Sequence, residues 1–321
     1  MNKKMFSTVQ SDLELLEEEL LSVIHSPVDL ITDISNHLVQ AGGKRLRPAL
    51  YLICARDGNG TLADIMPMAI SIELIHMATL VHDDVIDNAM TRRGRPTANA
   101  QWNNQLPVLT GDYLFAKAFS LVATHVDSIR LKVLTDVICS MCEGEIIQNR
   151  DSFNPGQSEP EYLVRIAKKT ADFIAASCEL GGLSAGLAAE NVQAVREYGY
   201  DIGMAFQITD DILDVTASSE QLGKPAGNDL RQGIITLPVI YALEKSPDKE
   251  ELRNILITRD MPEDMVKRGL TIIHATEAVE YSYSRVADYL AKARQVLPKA
   301  LTDDTRQSLL AVADFVGLRK Y

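Results

Sequence analysis

Six aspartates carry the first suggestion of chemistry. Asp83, Asp84 and Asp87 spell DDxxD, and Asp210, Asp211 and Asp214 spell it again. Helix positions four apart share a face, so Asp83 with Asp87 and Asp210 with Asp214 each form a two-carboxylate edge. Like charges at that spacing repel by roughly 0.2–0.5 kcal/mol on an exposed helix. The cost rises where the charges are buried. Each trio follows an apolar run, Leu74 to Val81 and Ile202 to Ile208. Each therefore closes a helix at the end where the macrodipole disfavours negative charge. One such trio alone reads as a solvated helix end. Two with the same misfit invite a hard divalent cation, and magnesium usually takes one or two carboxylates plus substrate phosphates.

Basic residues that suit phosphates stand near them. Gly42-Gly43-Lys44-Arg45-Leu46-Arg47-Pro48 is a glycine-led turn into a helix. Glycines let backbone approach a phosphate, and arginine can grip one with two parallel bonds. Arg92-Arg93-Gly94 follows the first aspartate trio in one short loop, and Lys168-Lys169-Thr170 and Lys224 add more. Each basic pair alone is ordinary solvated surface. His76 lies seven residues before Asp83, on nearly the same helix face. It reads either as a satisfied core histidine or as a phosphate contact.

These groups sit in a chain of 321 residues with net charge −12, 46% hydrophobic and 24% charged residues. That composition supports a sizeable core. The acidic balance speaks against nucleic acid, which requires a basic stripe. It leaves room for anionic substrates, because a few placed cations can invert the local field. No run reaches the ~18 consecutive apolar residues of a membrane span. The first residues, Met1 to Leu21, predict an acidic amphipathic helix rather than a signal peptide, with Leu13, Leu16 and Leu20 on one face. A cytoplasmic location is expected. Cys139 and Cys142 form a CxxC that suggests zinc or redox chemistry, but no second ligand pair has the right spacing. Two small buried helix residues are the favoured reading.

Apolar residues recur at three-to-four spacing over 13–24, 28–39, 62–87, 110–125, 129–149, 161–190, 192–214, 234–244, 263–274, 277–297 and 304–317. Glycine, proline and asparagine clusters punctuate the gaps. Alternating patterns are nearly absent, and no linker divides the chain. The expectation is one all-α domain over 1–321, of about ten to twelve helices, with 1–24 as its N-terminal amphipathic helix.

Taken together, these residues resemble the trans-isoprenyl diphosphate synthases, in their long-chain branch. The match covers roughly Gln40 to Pro238. It includes the Gly42–Pro48 run, His76 through Asp87, Arg92-Arg93-Gly94-Arg95-Pro96-Thr97, Gly111-Asp112-Tyr113-Leu114, Lys169-Thr170, Phe206 through Asp214, and Leu222-Gly223-Lys224-Pro225. Order and spacing agree. The resemblance implies a helical bundle around a deep central cavity, with the two aspartate trios facing each other at its mouth. It assigns Asp83, Asp84 and Asp87 to magnesium ions that bridge an allylic diphosphate. Asp210 would take a further ion, supported by Asp211 and Asp214, for three ions in all. Arg92, Lys169 and Lys224 would hold the allylic diphosphate, with Thr170 and Gln207 beside the developing carbocation. Lys44, Arg47, His76 and Arg93 would hold isopentenyl diphosphate. The reaction is ionisation of the allylic carbon–oxygen bond, attack by the isopentenyl double bond, and loss of a proton. It needs no nucleophilic side chain, and no Ser/His/Asp or Cys/His set stands out.

The resemblance also bears on product length. Short-product members carry bulky aromatics at the fourth and fifth positions before the first aspartate, where this chain has Thr79 and Ala78. A helix turn rises about 5.4 Å, so Ile75 and Ile72 would be the next floors down. A long all-trans polyprenyl product is expected, heptaprenyl foremost. Ile234 stands where many members have Lys or Asn after the glycine. The ending Gly317-Leu318-Arg319-Lys320-Tyr321 is similar to that of long-chain members that work with a small non-catalytic subunit, so a heteromer stands beside the homodimer expected of the family. A class I terpene cyclase is the rival enzyme, although such cyclases replace the second DDxxD and lack the isopentenyl site. A non-catalytic synthase subunit is the other alternative, although such subunits lose aspartates.

Overall fold

A computed structural model describes residues 6–216 and 227–318. Helices dominate: α1 (Gln10–Val23), α2 (Asp29–Gln40), α3 (Leu46–Ala55), α4 (Leu62–Ile86), α5 (Ala98–Trp102), α6 (Gln105–Val122), α7 (Ser128–Asp151), α8 (Glu159–Ile166), α9 (Asp172–Ala185) and α10 (Ala189–Thr216). They continue as α11 (Asn228–Arg231), α12 (Leu237–Lys245), α13 (Lys249–Leu256), α14 (Glu263–His274), α15 (Ala278–Val296) and α16 (Asp303–Gly317). The only strands among the described residues are β1 (Thr91–Arg92) and β2 (Arg95–Pro96), paired antiparallel. The all-α expectation is correct.

The chain divides into two compact units. The first comprises Met1–Leu134, Ser177–Val195 and Pro298–Ala311, and the second Thr135–Ala176, Arg196–Leu297 and Val312–Tyr321.

In the first unit α4 packs along α6 and α3. A capping box starts α4: Thr61 N–H and hydroxyl both donate to Asp64 Oδ2, at 2.9 and 2.6 Å. Pro67 lies inside the helix, and the Ser71 hydroxyl bonds both the Pro67 and the Ala118 carbonyls, at 2.8 and 3.0 Å. By length and composition α4 could cross a membrane, yet 72% of its most apolar stretch is buried inside the protein. Ile65, Ile72, Leu74, Ile75, Ala78 and Val81 are among its buried positions. Each large apolar side chain so buried contributes about 1.5–3 kcal/mol. Such a helix holds its C-terminal turn, and the aspartates on it, in place.

Several boundaries differ from the sequence expectation. Among the described residues the N-terminal helix starts at Gln10, after a turn over 6–9, with Leu13, Leu16 and Leu20 buried as expected; residues 1–5 of the expected helix lie outside the described residues. The stretch 161–190 is divided: α8, then a π turn over Ala167–Ala171, then α9. Gly186, at φ 71°, ends α9 through a Leu187 N–H to Gly182 carbonyl bond of 3.0 Å. Helix α13 has only Leu252, Ile255 and Leu256 on its buried face, too few to show as a period. Cys139 and Cys142 are exposed, which corrects the buried reading. The buried stripe of α7 is Leu134, Val137 and Met141, and helical rotation of about 100° per residue places both cysteines off it.

Candidate active site

In the first unit, the Gly42–Arg47 turn and the end of α4 supply the expected groups. Gly42 has φ 69° and Arg45, the residue before α3, has φ 48°. The left-handed turn sets Lys44 and Arg47 on either side of Arg45. The Arg47 Nη1 lies 3.3 Å from His76 Nε2. A guanidinium only donates, so Nε2 accepts and the imidazole proton sits on Nδ1. Desolvation holds the His76 imidazole well below its ordinary pKa, and Arg47, Arg93, Arg92 and Arg45 push it further down. His76 is therefore neutral near pH 7. Four arginines therefore surround an imidazole that carries no charge of its own.

Asp83 and Asp87 are half-buried on the last turn of α4, with the Asp87 N–H bonded to the Asp83 carbonyl at 2.8 Å. Asp84 differs from them. It is 2% exposed, and Arg92 Nε and Nη2 both reach its Oδ1 at 2.8 Å. Burial raises the Asp84 carboxyl, and the Arg92 charge offsets part of the rise. Arg92 and Arg93 arrive on the β1–β2 hairpin, where Arg92 faces Arg95. The two turn residues, Arg93 at φ 52° and Gly94 at φ 73°, have the positive φ pair of a type I′ turn. Thr97 and Asn99 tie the loop back through the Ala89 carbonyl, at 2.6 and 2.9 Å. Burial is the largest influence on Arg93 and lowers its pKa, with Arg92 and Arg45 adding to the fall.

In the second unit, α10 carries Asp210, Asp211 and Asp214. Asp210 is half-buried, whereas Asp211 is 5% and Asp214 1% exposed. Asp214 Oδ2 accepts from the Asp229 N–H at 3.0 Å, and its carbonyl accepts from Gly227 at 2.9 Å. Asp211 ends a relay: the Thr170 hydroxyl donates to Gln207 Oε1 at 2.7 Å, and Gln207 Nε2 donates to Asp211 Oδ1 at 2.8 Å. Tyr162 donates to the other oxygen at 2.7 Å. Burial pushes the Asp211 carboxyl up to about 6, against the lowering effect of Tyr162 and Gln207. The π turn presents Lys169, whose Nζ lies 2.5 Å from Glu145, and Thr170. Such turns occur often at functional sites. Close packing makes the Thr170–Gln207 bond possible, because a Cβ at Gly203 would lie 2.5 Å from Ala171 Cα.

The first unit thus gathers Lys44, Arg47, His76, Arg92, Arg93, Asp83, Asp84 and Asp87, and the second Lys169, Thr170, Gln207, Asp210, Asp211 and Asp214. Lys224 lies outside the described residues. Ile72, Ile75 and Ala78 share one stripe of α4 and are wholly buried, while Thr79 is half-buried with its hydroxyl on the His76 carbonyl at 2.8 Å. Supporting residues that the sequence did not single out are Glu73, Glu145 and Tyr162. Only Glu73 left a signal, as a lone carboxylate inside an apolar run.

The donor set fits magnesium. Each unit, taken by itself, offers carboxylate oxygens: half-buried Asp83 and Asp87 on α4 in the first, and half-buried Asp210 on α10 in the second. Among the described residues, no three His, Cys, Asp or Glu side chains form a closed cage. Magnesium needs none, since it keeps waters and takes phosphate oxygens alongside one or two carboxylates.

Residues 28–273 match the family described as polyprenyl synthetase. The chain is 43% identical, over 99% of both chains, to heptaprenyl diphosphate synthase component 2 of Geobacillus stearothermophilus. More distant relatives, at 37%, 36% and 33% identity, are named for short-chain isoprenyl, nonaprenyl and octaprenyl products. Among solved structures it is similar to a polyprenyl synthase from Caulobacter crescentus complexed with calcium and isoprenyl diphosphate. That match has TM-score 0.93 and 34% identity, covering 99% of this chain and 98% of the other. The heptaprenyl diphosphate synthase of Staphylococcus aureus follows at TM-score 0.92 and 34% identity, covering 98% and 99%. The helical architecture, both aspartate trios and these likenesses agree: the chain belongs to the polyprenyl synthetase family and is a prenyltransferase.

Proposed function

We propose that the chain condenses isopentenyl diphosphate with an allylic diphosphate, with magnesium, into a long all-trans polyprenyl diphosphate, heptaprenyl foremost. The observation that carries this is the end of α4. Arg47, Arg92 and Arg93 gather around a neutral His76 beside the Asp83–Asp87 edge, in a protein of net charge −12. A cluster of that kind suits a diphosphate.

In this reading Arg92 is pre-aimed. Asp84 holds Nε and Nη2, leaving Nη1 for a phosphate oxygen. Lys44, Arg47 and the Nδ1–H of His76 receive isopentenyl diphosphate. Magnesium on the carboxylates supplies positive charge that stabilises the diphosphate leaving group. The allylic carbon–oxygen bond breaks, a carbon–carbon bond forms, and the proton lost from the isopentenyl unit goes to the released diphosphate. The Thr170 and Gln207 oxygens bear partial negative charge suited to a passing allylic cation. Ala78 and Thr79 are too small to close a pocket, which supports a long product. The component 2 designation of the Geobacillus relative supports a second, non-catalytic subunit here.

The test is a product assay with labelled isopentenyl diphosphate, an allylic primer and magnesium. Long polyprenyl diphosphate from the chain alone supports a self-sufficient enzyme, and product only after addition of a cell extract supports the heteromer. Chelation of magnesium should abolish product in either case. No product under any condition sinks the proposal.

A further inference from the structure

We infer that Glu73 is a positioning residue for the isopentenyl diphosphate subsite: it anchors Arg45, and through Arg45 the turn that carries Lys44 and Arg47. The inference rests on the reading of that subsite given above.

Glu73 sits in the apolar middle of α4 and is 2% exposed. A carboxylate there is costly unless paired. Its partner is Arg45, itself 7% exposed, whose Nη1 donates to Glu73 Oε1 at 2.5 Å. The remaining donors of Arg45 are also engaged. Nε and Nη2 reach the two Glu17 oxygens at 2.6 and 3.2 Å, and Nη2 lies 3.4 Å from the Val39 carbonyl. One side chain therefore ties α1, α2 and α4 to a single backbone position.

That position is the one the subsite depends on. Arg45 has φ 48°, a conformation that non-glycine residues adopt only where their surroundings enforce it. The left-handed residue is what turns the chain from Gly43 into α3. Lys44 lies just before it, and Arg47, which contacts His76, lies two residues after it. The turn is also packed from above, since a Cβ at Gly43 would lie 3.0 Å from Arg93 Nη1 and 3.6 Å from Arg45 Nη1. The second Glu73 oxygen, Oε2, is buried and has no hydrogen-bond partner among the described residues. Burial raises the Glu73 carboxyl and Arg45 offsets part of that rise; the ionised carboxylate also interacts with Arg47 and Arg93. Glu73 is thus the buried counter-charge beneath the arginines of the subsite. Buried ion pairs can often be exchanged for apolar residues with no loss of stability. What this pair contributes is the path of the turn.

The experiment compares binding of isopentenyl diphosphate and of an allylic diphosphate to the full chain by calorimetry. The variants are Glu73→Gln and the double substitution Arg45→Met with Glu73→Leu. The double variant removes the pair without leaving a bare buried charge, so it decides the matter if Glu73→Gln fails to fold. Its melting temperature should stay near that of the unaltered chain. Its affinity for isopentenyl diphosphate should fall roughly ten- to hundred-fold, the penalty of a misplaced binding group, while affinity for the allylic diphosphate stays unchanged. Unchanged isopentenyl diphosphate binding in the folded double variant would overturn the inference. So would an equal loss for both substrates, which marks general loosening. Failure of the catalytic proposal would show separately, as absence of product from the unaltered chain.

Discussion

Tyr162 donates a 2.7 Å hydrogen bond to Asp211 Oδ2 from a fully buried phenol, opposite the bond from Gln207 to Oδ1. Both carboxylate oxygens of the middle aspartate are thus engaged from within the second unit. Tyr162→Phe removes one donor and should cost about 1–3 kcal/mol. The deficit should depend on pH. Burial has already raised Asp211 from 3.8 to about 6, so the folded state holds its proton more tightly than the unfolded chain. Stability from this group is therefore lost as pH rises through that window. Tyr162 opposes the rise, so its loss should extend the window upward. Urea denaturation at pH 4 and pH 8 should show a small deficit at pH 4 and a larger one at pH 8. An equal deficit at both would contradict the account.

His76 titrates with the opposite sign. Its imidazole is held well below the ordinary value by burial and by the neighbouring arginines. The unfolded chain therefore binds a proton that the folded one refuses, and stability falls as pH drops through about 6.5, the ordinary histidine value. His76→Asn, neutral at every pH, should remove that dependence. Melting curves of the two proteins should diverge below about pH 6.5, with the variant keeping more of its stability, and run parallel above it.

Ala78 lies wholly buried on the α4 stripe above Ile75 and Ile72. Ala78→Tyr should shorten the product, because the ring would fill the path of a growing tail. Overpacking should also cost about 1–3 kcal/mol. Chromatography of the reaction products reads the first effect and thermal melting the second. An unchanged product distribution from a folded variant would rule out Ala78 as a length determinant.

Gly203→Ala should uncouple the Thr170–Gln207 relay. The added Cβ would lie 2.5 Å from Ala171 Cα and 2.9 Å from its Cβ, and backbone cannot yield as a side chain does. A loss of about 1–3 kcal/mol or more is expected, together with reduced turnover. Gly182→Ala on α9, with 3.1 Å to the end of a valine side chain, should cost less. A milder effect at Gly203 than at Gly182 would show that α10 and the π turn can separate.

Much was written into the chain itself. The three-to-four spacing of apolar residues determined most helices, because burial of one face is a local property of sequence. The paired DDxxD trios announced hard-cation chemistry by residue type alone, and the glycines at 42, 43 and 94 announced the turns that bring arginines to them. Tertiary structure decided how the members of each trio are held. Asp84 and Asp211 look the same as their neighbours in sequence, yet both are buried and bound, by Arg92 and by Tyr162 and Gln207. Gln207 is a local partner, four residues back on the same helix, but Arg92 and Tyr162 lie 8 and 49 residues away, and nothing local chooses them. The same is true of Glu73, whose place beneath Arg45 spans 28 residues. The π turn at Ala167–Ala171 left no trace in the apolar period, because one extra residue in a turn is absorbed where α10 presses against it. Cys139 and Cys142 fell off the buried stripe for a related reason: spacing shows that a helix has a face, but the neighbouring elements decide which side of it is covered.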